Sequence, residues 1–458
     1  MTTQRMRLLC VGASVLAGCA SVGPDYVRPA APVSAAFKEI KGWKEASPRD
    51  GLPKGDWWRV FHDPELDRLE EQVAVSNETI AADEANHRAS LALVAQARAG
   101  LSPTVNFDPS FNRSGPNTDL LNEQASASWT LDIWGKTRRS IERQGDLAEE
   151  SAANLANARL AAQSALAIAY VSLRQADSLR ALLTRTVGEY QRALEIAQNQ
   201  YNAGTTPQSD VITAKTQLLG AEAQSINVGV ARATSEHAIA VLIGRPPAAL
   251  SIGPGALAQG MPSVPIGIPS ELLERRPDVA AAERAMAAQN AAIGVAIAGY
   301  YPSLTLNGSA GYSGNPFIKQ IAGANPVWSF GLGLAQPLFN GGLTDAQVDE
   351  ARAAYAAGAA AYKATVLAAL QQVEDALSTV RVLGQEEKIQ KEAVVSAEQA
   401  VQIALNEYRA GTQNFTTVVT AEATALADEQ SALTTKAQRL TAAVNLIVAL
   451  GGGWQKKP

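Results

Sequence analysis

The sequence predicts a mixed α and β chain built from two copies of one unit, each with a pair of short strands and a very long helix. Three observations predict it: a motif recurring at fixed spacing, four segments of alternating polarity, and two long stretches free of proline.

The repeat is explicit. Gln200-Tyr-Asn-Ala-Gly-Thr205, running to Val211-Ile-Thr-Ala214, matches Glu407-Tyr-Arg-Ala-Gly-Thr412, running to Val418-Val-Thr-Ala421, at an offset of 207 residues. The same offset carries Gly244 to Gly451, and earlier Ala97-Arg-Ala-Gly-Leu-Ser-Pro103 parallels Ala296-Ile-Ala-Gly-Tyr-Tyr-Pro302. Gly, Pro and Tyr matching in one order argue for duplication over chance similarity between Ala-rich helices. The first repeat is set at residues 64–245, an inter-repeat linker at 246–270, and the second repeat at 271–458.

Each half carries two segments of period-two alternation. Residues 104–113 set Val105, Phe107, Pro109 and Phe111 against Thr104, Asn106, Asp108 and Ser110, and residues 124–133 set Ala127, Trp129 and Leu131 against Ser126, Ser128 and Thr130. Residues 303–313 set Leu304 and Leu306 against Thr305 and Asn307, and residues 327–338 set Trp328, Phe330, Leu332 and Leu334 against Ser329, Gly331 and Gly333. An apolar face backed by a small polar one suits a membrane barrel with a wet lumen, or soluble hairpins with one face on a core. Alternation alone does not separate the two. Pro109 predicts a bulge or an early end to its strand.

Helices fill the rest. Residues 136–203 and 343–410 contain no proline and could each run about 100 Å as a rod at 1.5 Å per residue. Shorter helices are expected at 64–99, 207–243, 271–298 and 415–450, with Asn414 as N-cap of the last. Residues 19–63 read as an extended N-terminal segment, and the Gly- and Pro-rich linker as ordered loop.

The N-terminus decides where these elements reside. Arg5 and Arg7 precede an apolar run from Leu8 to Ala17 that is too short to span a bilayer, and Leu16-Ala17-Gly18-Cys19 has the pattern of a lipoprotein cleavage site. Residues 1–18 are therefore read as a signal peptide and Cys19 as the acylated first residue. No later stretch reads as a transmembrane helix, so a membrane crossing falls to the strands. Four strands cannot close a barrel, for which at least about eight are needed, and open edges are not tolerated in lipid. Copies must combine. Two would give eight strands and three would give twelve, and periodicity does not choose.

Other classes find no support. The three histidines are scattered, away from any second histidine or cysteine at ligand spacing, and a net charge of −5 without a basic cluster argues against a nucleic-acid partner. No catalytic constellation and no cofactor site are read. Glu274, Arg275, Arg276, Asp278 and Glu283 form a polar set read as helix capping and ion pairing between the repeats.

Several motifs together resemble the outer membrane factors of tripartite efflux systems, TolC-like proteins of the NodT lipoprotein subgroup. They are Val22-Gly-Pro-Asp-Tyr-Val-Arg-Pro29, Trp57-Trp-Arg-Val-Phe-His-Asp-Pro-Glu-Leu66, Trp129-Thr-Leu-Asp-Ile-Trp-Gly-Lys136, Leu273-Glu-Arg-Arg-Pro-Asp278, Pro337-Leu-Phe-Asn-Gly-Gly342 and Gln372-Val-Glu-Asp-Ala-Leu377. The resemblance spans essentially the whole mature chain. It implies a homotrimer whose strands share one outer-membrane barrel, continued by a periplasmic α-helical barrel. It also implies a periplasmic membrane-fusion adaptor and an inner-membrane pump, often of the RND type, as partners in exporting small molecules passively. Val105, Phe107, Trp129, Leu131, Leu304, Leu306, Trp328 and Phe330 are then expected to face lipid. Tyr201, Gly204 and Asp210, with Tyr408, Gly411, Thr416, Thr420 and Glu422, mark the expected periplasmic tip and gate. Relatives often place an aspartate ring in a Leu-x-x-x-Asp pattern where this chain has Thr416 and Thr420. Glu422 and Asp210 are alternatives for that charge, each more ordinarily a solvated helix residue. The competing reading is a lipid-anchored coiled-coil adaptor or scaffold.

Overall fold

The computed structural model describes residues 21–30, 36–40, 56–113, 115, 119–258, 260–262, 276–314 and 325–452. The signal segment, Cys19, Glu274 and Arg275 lie outside them. The described elements run α1 (Pro64–Ser76), α2 (Glu78–Ala99), β1 (Thr104–Arg113), β2 (Asp119–Leu131), α3 (Lys136–Asn202), α4 (Gln208–Leu242), α5 (Pro277–Ile297), β3 (Ser303–Gly314), β4 (Asn325–Ala335), α6 (Leu343–Arg409) and α7 (Phe415–Ala449). The chain divides into two compact units: a sheet unit of residues 1–32, 84–154 and 278–365, and a helical unit of residues 33–83, 155–277 and 366–458.

In the sheet unit, four antiparallel strands lie in the order β1-β2-β3-β4. The register aligns the alternation of all four. Phe107 is opposite Ala125, Ala125 opposite Ala310, and Ala310 opposite Trp328, while Ser128 is opposite Asn307 and Asn307 opposite Gly331. One face is therefore apolar across every strand, interrupted by Glu123, and the other carries mainly Ser, Thr, Asn, Gln and Gly, with Asp108 and Val327 among them. The polar face is laced together: Gln124 Nε2 donates to Ser309 Oγ at 2.8 Å, Ser309 and Ser329 share a hydroxyl hydrogen bond of 2.8 Å, and Ser128 Oγ donates to Asn307 Oδ1 at 2.9 Å.

Several boundaries differ from the sequence expectation. Pro109 makes neither a bulge nor an end, and pairs opposite Glu123 in unbroken register. It sits on a strand at the edge of this chain's sheet, where a missing N–H is best tolerated. The second strand begins five residues before 124 and stops at Leu131. The next residue, Asp132, turns its carboxylate to the start of α3, accepting from Thr137 N at 2.8 Å and Arg138 N at 3.0 Å. The fourth strand stops at Ala335, not 338. The expected single helix over 64–99 is broken at Asn77. Its Oδ1 accepts from Thr79 N at 3.0 Å and Ile80 N at 3.2 Å, capping α2, and its Nδ2 donates to Leu242 O at 2.8 Å. The helix expected from 271 begins at Pro277, with residues 271–275 outside those described.

The two 67-residue helices α3 and α6 begin and end at positions 207 residues apart. Contrary to expectation, α6 is long and apolar enough by length and composition to cross a membrane. Alanine between Ala351 and Ala369 supplies much of that apolarity, and it also permits close approach of neighbouring helices.

In the helical unit the main core joins Leu69, Val73, Leu166, Leu173, Ile239 and Ile243. The described part of the linker is tied to it by charge. Arg174 donates to Gly253 O at 2.7 Å, Asp177 accepts from Gly255 N at 3.0 Å, and Asp177 pairs with Arg174 at 3.1 Å and Arg232 at 2.7 Å. Arg276 donates to Ala449 O at 2.9 Å and Gln372 Oε1 at 2.8 Å, capping the last helix of its own repeat.

Candidate functional site

Three features stand out: an uncovered apolar sheet face, a pair of helix-reversing turns, and a seat for the N-terminal segment.

The apolar face has no cover within the described residues of the chain. Val105 is 71% exposed, Phe107 65%, Trp328 79% and Phe330 71%, values that a soluble hairpin packed on a core would not show. Trp129, Leu131, Leu304 and Leu306, on the two central strands, are half-buried by their neighbours on the same face. At the helix end of the sheet, Trp134 stacks on Tyr301 with ring centroids 4.7 Å apart and donates to Pro302 O at 2.8 Å, while Trp129 Nε1 donates to Leu101 O at 3.0 Å. Such amphipathic rings suit a membrane interface.

The turns occur where the repeated motif placed them. Gly204 and Gly411 both have φ of +72°, a conformation that favours glycine, and a Cβ added at either position would find nothing within 4 Å. Around them the hydrogen bonds repeat. Thr205 N donates to Gln200 O at 3.0 Å, and Thr412 N donates to Glu407 O at 3.0 Å. This is the Schellman closure of a helix C-terminus.

The side chains break that symmetry. Tyr201 is 40% exposed, whereas its counterpart Tyr408 is 2% exposed and meets Phe415 with ring centroids 5.1 Å apart. Asn414 Oδ1 caps α7 through Thr417 N at 3.2 Å, whereas Pro207 precedes α4 without a side-chain cap. Thr416 and Thr420 are exposed, and Thr420 Oγ1 donates to Thr416 O at 2.9 Å. Asp210 is half-buried, and its negative charge helps burial push the Tyr408 hydroxyl up.

Glu422 is not the solvated residue expected. It is 8% exposed, and burial, reinforced by Glu189, pushes its carboxyl up to about 7. Its charge also reaches Tyr190, which is 4% exposed. The counterpart of Glu422 in the first repeat is Lys215, which is exposed.

The seat for residues 21–30 belongs to the sheet unit, and sequence reasoning missed it. Arg139, only 4% exposed, donates to Val22 O at 3.1 Å and Gly23 O at 3.3 Å and pairs with Asp25 at 2.8 Å. Asn290 donates to Pro24 O at 3.0 Å, and Val22 N donates to Trp134 O at 3.0 Å. Gly23 has φ of +97°, and a Cβ there would lie 2.5 Å from Gly294 Cα, so two glycines let backbone meet backbone. The Val22-Gly-Pro-Asp-Tyr motif signalled the ligand half of this contact; its receptor is scattered over two helices.

Among the described residues, helix faces in the helical unit are exposed as well. Ile212, Leu219, Ile226 and Val230 on α4 are all more than half exposed, spaced seven, seven and four residues apart. On α6, Val382, Ile389 and Ile403 are exposed at multiples of seven. Heptad stripes of this kind serve helix pairing. Among the described residues, no group of His, Cys, Asp and Glu is placed to hold a metal ion.

Comparison with known proteins gives one answer. The sequence profile of the outer membrane efflux protein family matches residues 69–245 and 268–452. The chain is 28% identical over 469 residues to the toluene efflux pump outer membrane protein TtgC of Pseudomonas putida, covering 99% of this chain and 97% of that one. It is 30% identical over 455 residues to outer membrane protein OprJ of Pseudomonas aeruginosa, covering 96% and 94%. Its structure superposes on the outer-membrane channel OprN with a TM-score of 0.88 at 27% identity, covering 95% of this chain and all of that one.

Proposed function

Because the chain belongs to the outer membrane efflux protein family, and is the outer-membrane component of an efflux system with a TolC-like fold, we propose that three copies close one twelve-stranded barrel and form a passive exit duct. The observation that carries this is the sheet itself: four strands, a bare apolar face, and two open edges at β1 and β4. Lipid tolerates neither unpaired edges nor isolated polar backbone, so the edges must pair with other copies. Three copies, not two, follow from the resemblance to the family.

In this reading Val105, Phe107, Trp129, Leu131, Leu304, Leu306, Trp328 and Phe330 face lipid, and the hydrogen-bonded polar face lines the lumen. The heptad stripes on α4 and α6 pair laterally between copies, and the helices carry the duct into the periplasm. Cys19 carries the acyl anchor, two residues before the segment seated on Arg139. The turns at Gly204 and Gly411, with the exposed Tyr201, Thr416 and Thr420 and the half-buried Asp210, meet a periplasmic membrane-fusion adaptor and set the resting constriction, with Tyr408 and Glu422 buried behind them. An inner-membrane pump, of the RND type, supplies the energy and selects the small molecules exported. The adaptor or scaffold alternative is set aside, since the family profile spans both repeats.

The test separates barrel from anchor. A Cys19→Ser chain, secreted without acylation, is fractionated with and without detergent and sized in micelles. Continued need for detergent and a trimeric mass are expected. A monomer soluble in plain buffer would sink the barrel.

A further inference from the structure

The internal repeat fixes more than the fold. Thr104 and Ser303 each begin a strand directly after a proline, an offset of 199 residues. Thr104 lies opposite Ser128 and Ser303 opposite Ala335, so Ser128 corresponds to Ala335 at an offset of 207, the same as for the long helices. A second pair of contacts obeys the same two offsets. Trp129 Nε1 donates to Leu101 O at 3.0 Å, and its counterpart Gln336 Nε2 donates to Tyr300 O at 2.9 Å. The two hairpins are thus copies of one another, position by position.

One seam inside the chain joins the first hairpin to the second: β2 to β3, with Ser128 opposite Asn307. The seam between copies joins a second hairpin to the next first one, β4 to β1. Applying the two offsets to the internal seam, we infer that β4 of one copy pairs antiparallel with β1 of the next with Ala335 opposite Asp108. This rests on the closed-barrel reading above, which requires such a seam and does not specify its register.

Three observations bear on that register. It places Leu332 opposite Phe111 and Leu334 opposite Pro109 on the apolar face, and Gly333 opposite Ser110 and Gly331 opposite Asn112 on the polar face. A one-residue slip would turn apolar side chains into the lumen. A two-residue slip keeps the faces, so the repeat is what selects among registers of correct parity. The third observation is the short fourth strand. β2 ends at Leu131, whose counterpart is Leu338, yet β4 ends three residues earlier at Ala335. Residues 129–131 are held through β3 and have no partner on β1. Their counterparts Gln336, Pro337 and Leu338 lack that neighbour in a single chain, and Leu338 is 94% exposed. In the inferred seam they lie opposite Phe107, Asn106 and Val105 of the next copy, which completes the strand. Pro109 and Pro337 each leave out one N–H, so the ladder has two gaps at most.

The experiment is disulfide trapping in the full chain purified in detergent. Ser110→Cys with Gly333→Cys tests the inferred register; Asp108→Cys or Asn112→Cys with Gly333→Cys tests two-residue slips either way. A Cβ at Gly333 meets only Thr305 O at 3.8 Å, so cysteine fits. Ser126→Cys with Ser309→Cys is the corresponding intrachain pair and calibrates reactivity. After oxidation, the Ser110/Gly333 pair should give covalently linked copies at least about ten-fold more than either slipped pair. A trimer that links better through a slipped pair, or that links only in the intrachain control, overturns the register and leaves the barrel reading intact. Absence of any trimer by mass in detergent overturns both.

Discussion

The hydroxyl of Tyr26 donates to Oε1 of Glu283 at 2.6 Å, fastening the chain's N-terminal segment to a carboxylate that is 5% exposed and paired with Arg284 at 2.8 Å. Tyr26→Phe removes that donor and leaves the buried acid one partner short. A loss of about 1–3 kcal/mol is expected, because hydrogen bonds to charged groups contribute at that level. Limited proteolysis of residues 21–30 and thermal unfolding should both shift, and an unchanged cleavage rate would mean the seat does not depend on this bond.

Gly23 offers a sharper version. A Cβ at this position meets Gly294 Cα at 2.5 Å, and φ is +97°. Gly23→Val should expel the segment from its seat altogether, while Gly253→Ala, at a glycine with open space around it, serves as the tolerated comparison. Hydrogen exchange at Val22 N, which donates to Trp134 O at 3.0 Å, reads the result directly.

Glu422 makes stability depend on pH. Its carboxyl is raised from 4.5 to about 7 in the folded chain, so the neutral form is favoured by folding. The stability it contributes is complete below the unfolded value and is lost as pH rises through the folded one. Over that window the loss is on the order of 3 kcal/mol. Wild type should therefore melt lower at pH 8 than at pH 5 by a margin that Glu422→Gln largely removes. Parallel pH profiles for the two proteins would refute the assignment.

At the turns, the strain is in the backbone alone, since neither Gly204 nor Gly411 is crowded. Gly411→Val should cost about 1–3 kcal/mol, and Gly411→Asn much less, because Asn tolerates a left-handed conformation. Drug tolerance in a deletion-complementation assay should fall for the valine variant while trimer yield stays normal. Equal tolerance for all three proteins would show that the turn's geometry does not matter to export.

On the sheet, Phe330→Arg places a charge on a side chain that is 71% exposed. Lipid-facing charge near the bilayer centre costs about 2–4 kcal/mol, so assembled trimer should drop sharply on semi-native gels. Ser329→Arg, on the polar face, should be far better tolerated. Equal yields would mean the apolar face does not meet lipid.

The strands, the repeat and both glycine turns were legible because each has a local cause: alternation with period two, matching motifs, and a residue type suited to positive φ. What escaped the sequence depends on distant partners. Asn77 looks like any helical residue until Leu242 and the α2 amides arrive to use its amide group. Glu422 is one carboxylate among many until the folded helices bury it to 8% exposure, and nothing near Arg139 announces that it will grip residues 22 to 25. The early end of β4 is a different case. Its sequence carries the strand on to 338, and the single chain lacks the neighbour that would hold it there.

The unlike burial of Tyr201 and Tyr408, and of Lys215 and Glu422, has a consequence for counting. A ring of three copies would present six turns with one backbone shape but two chemical identities in alternation. To a probe that senses only shape, such a ring has sixfold symmetry. To anything that senses charge or aromatic surface it has threefold symmetry, and six identical visitors would find two classes of landing place.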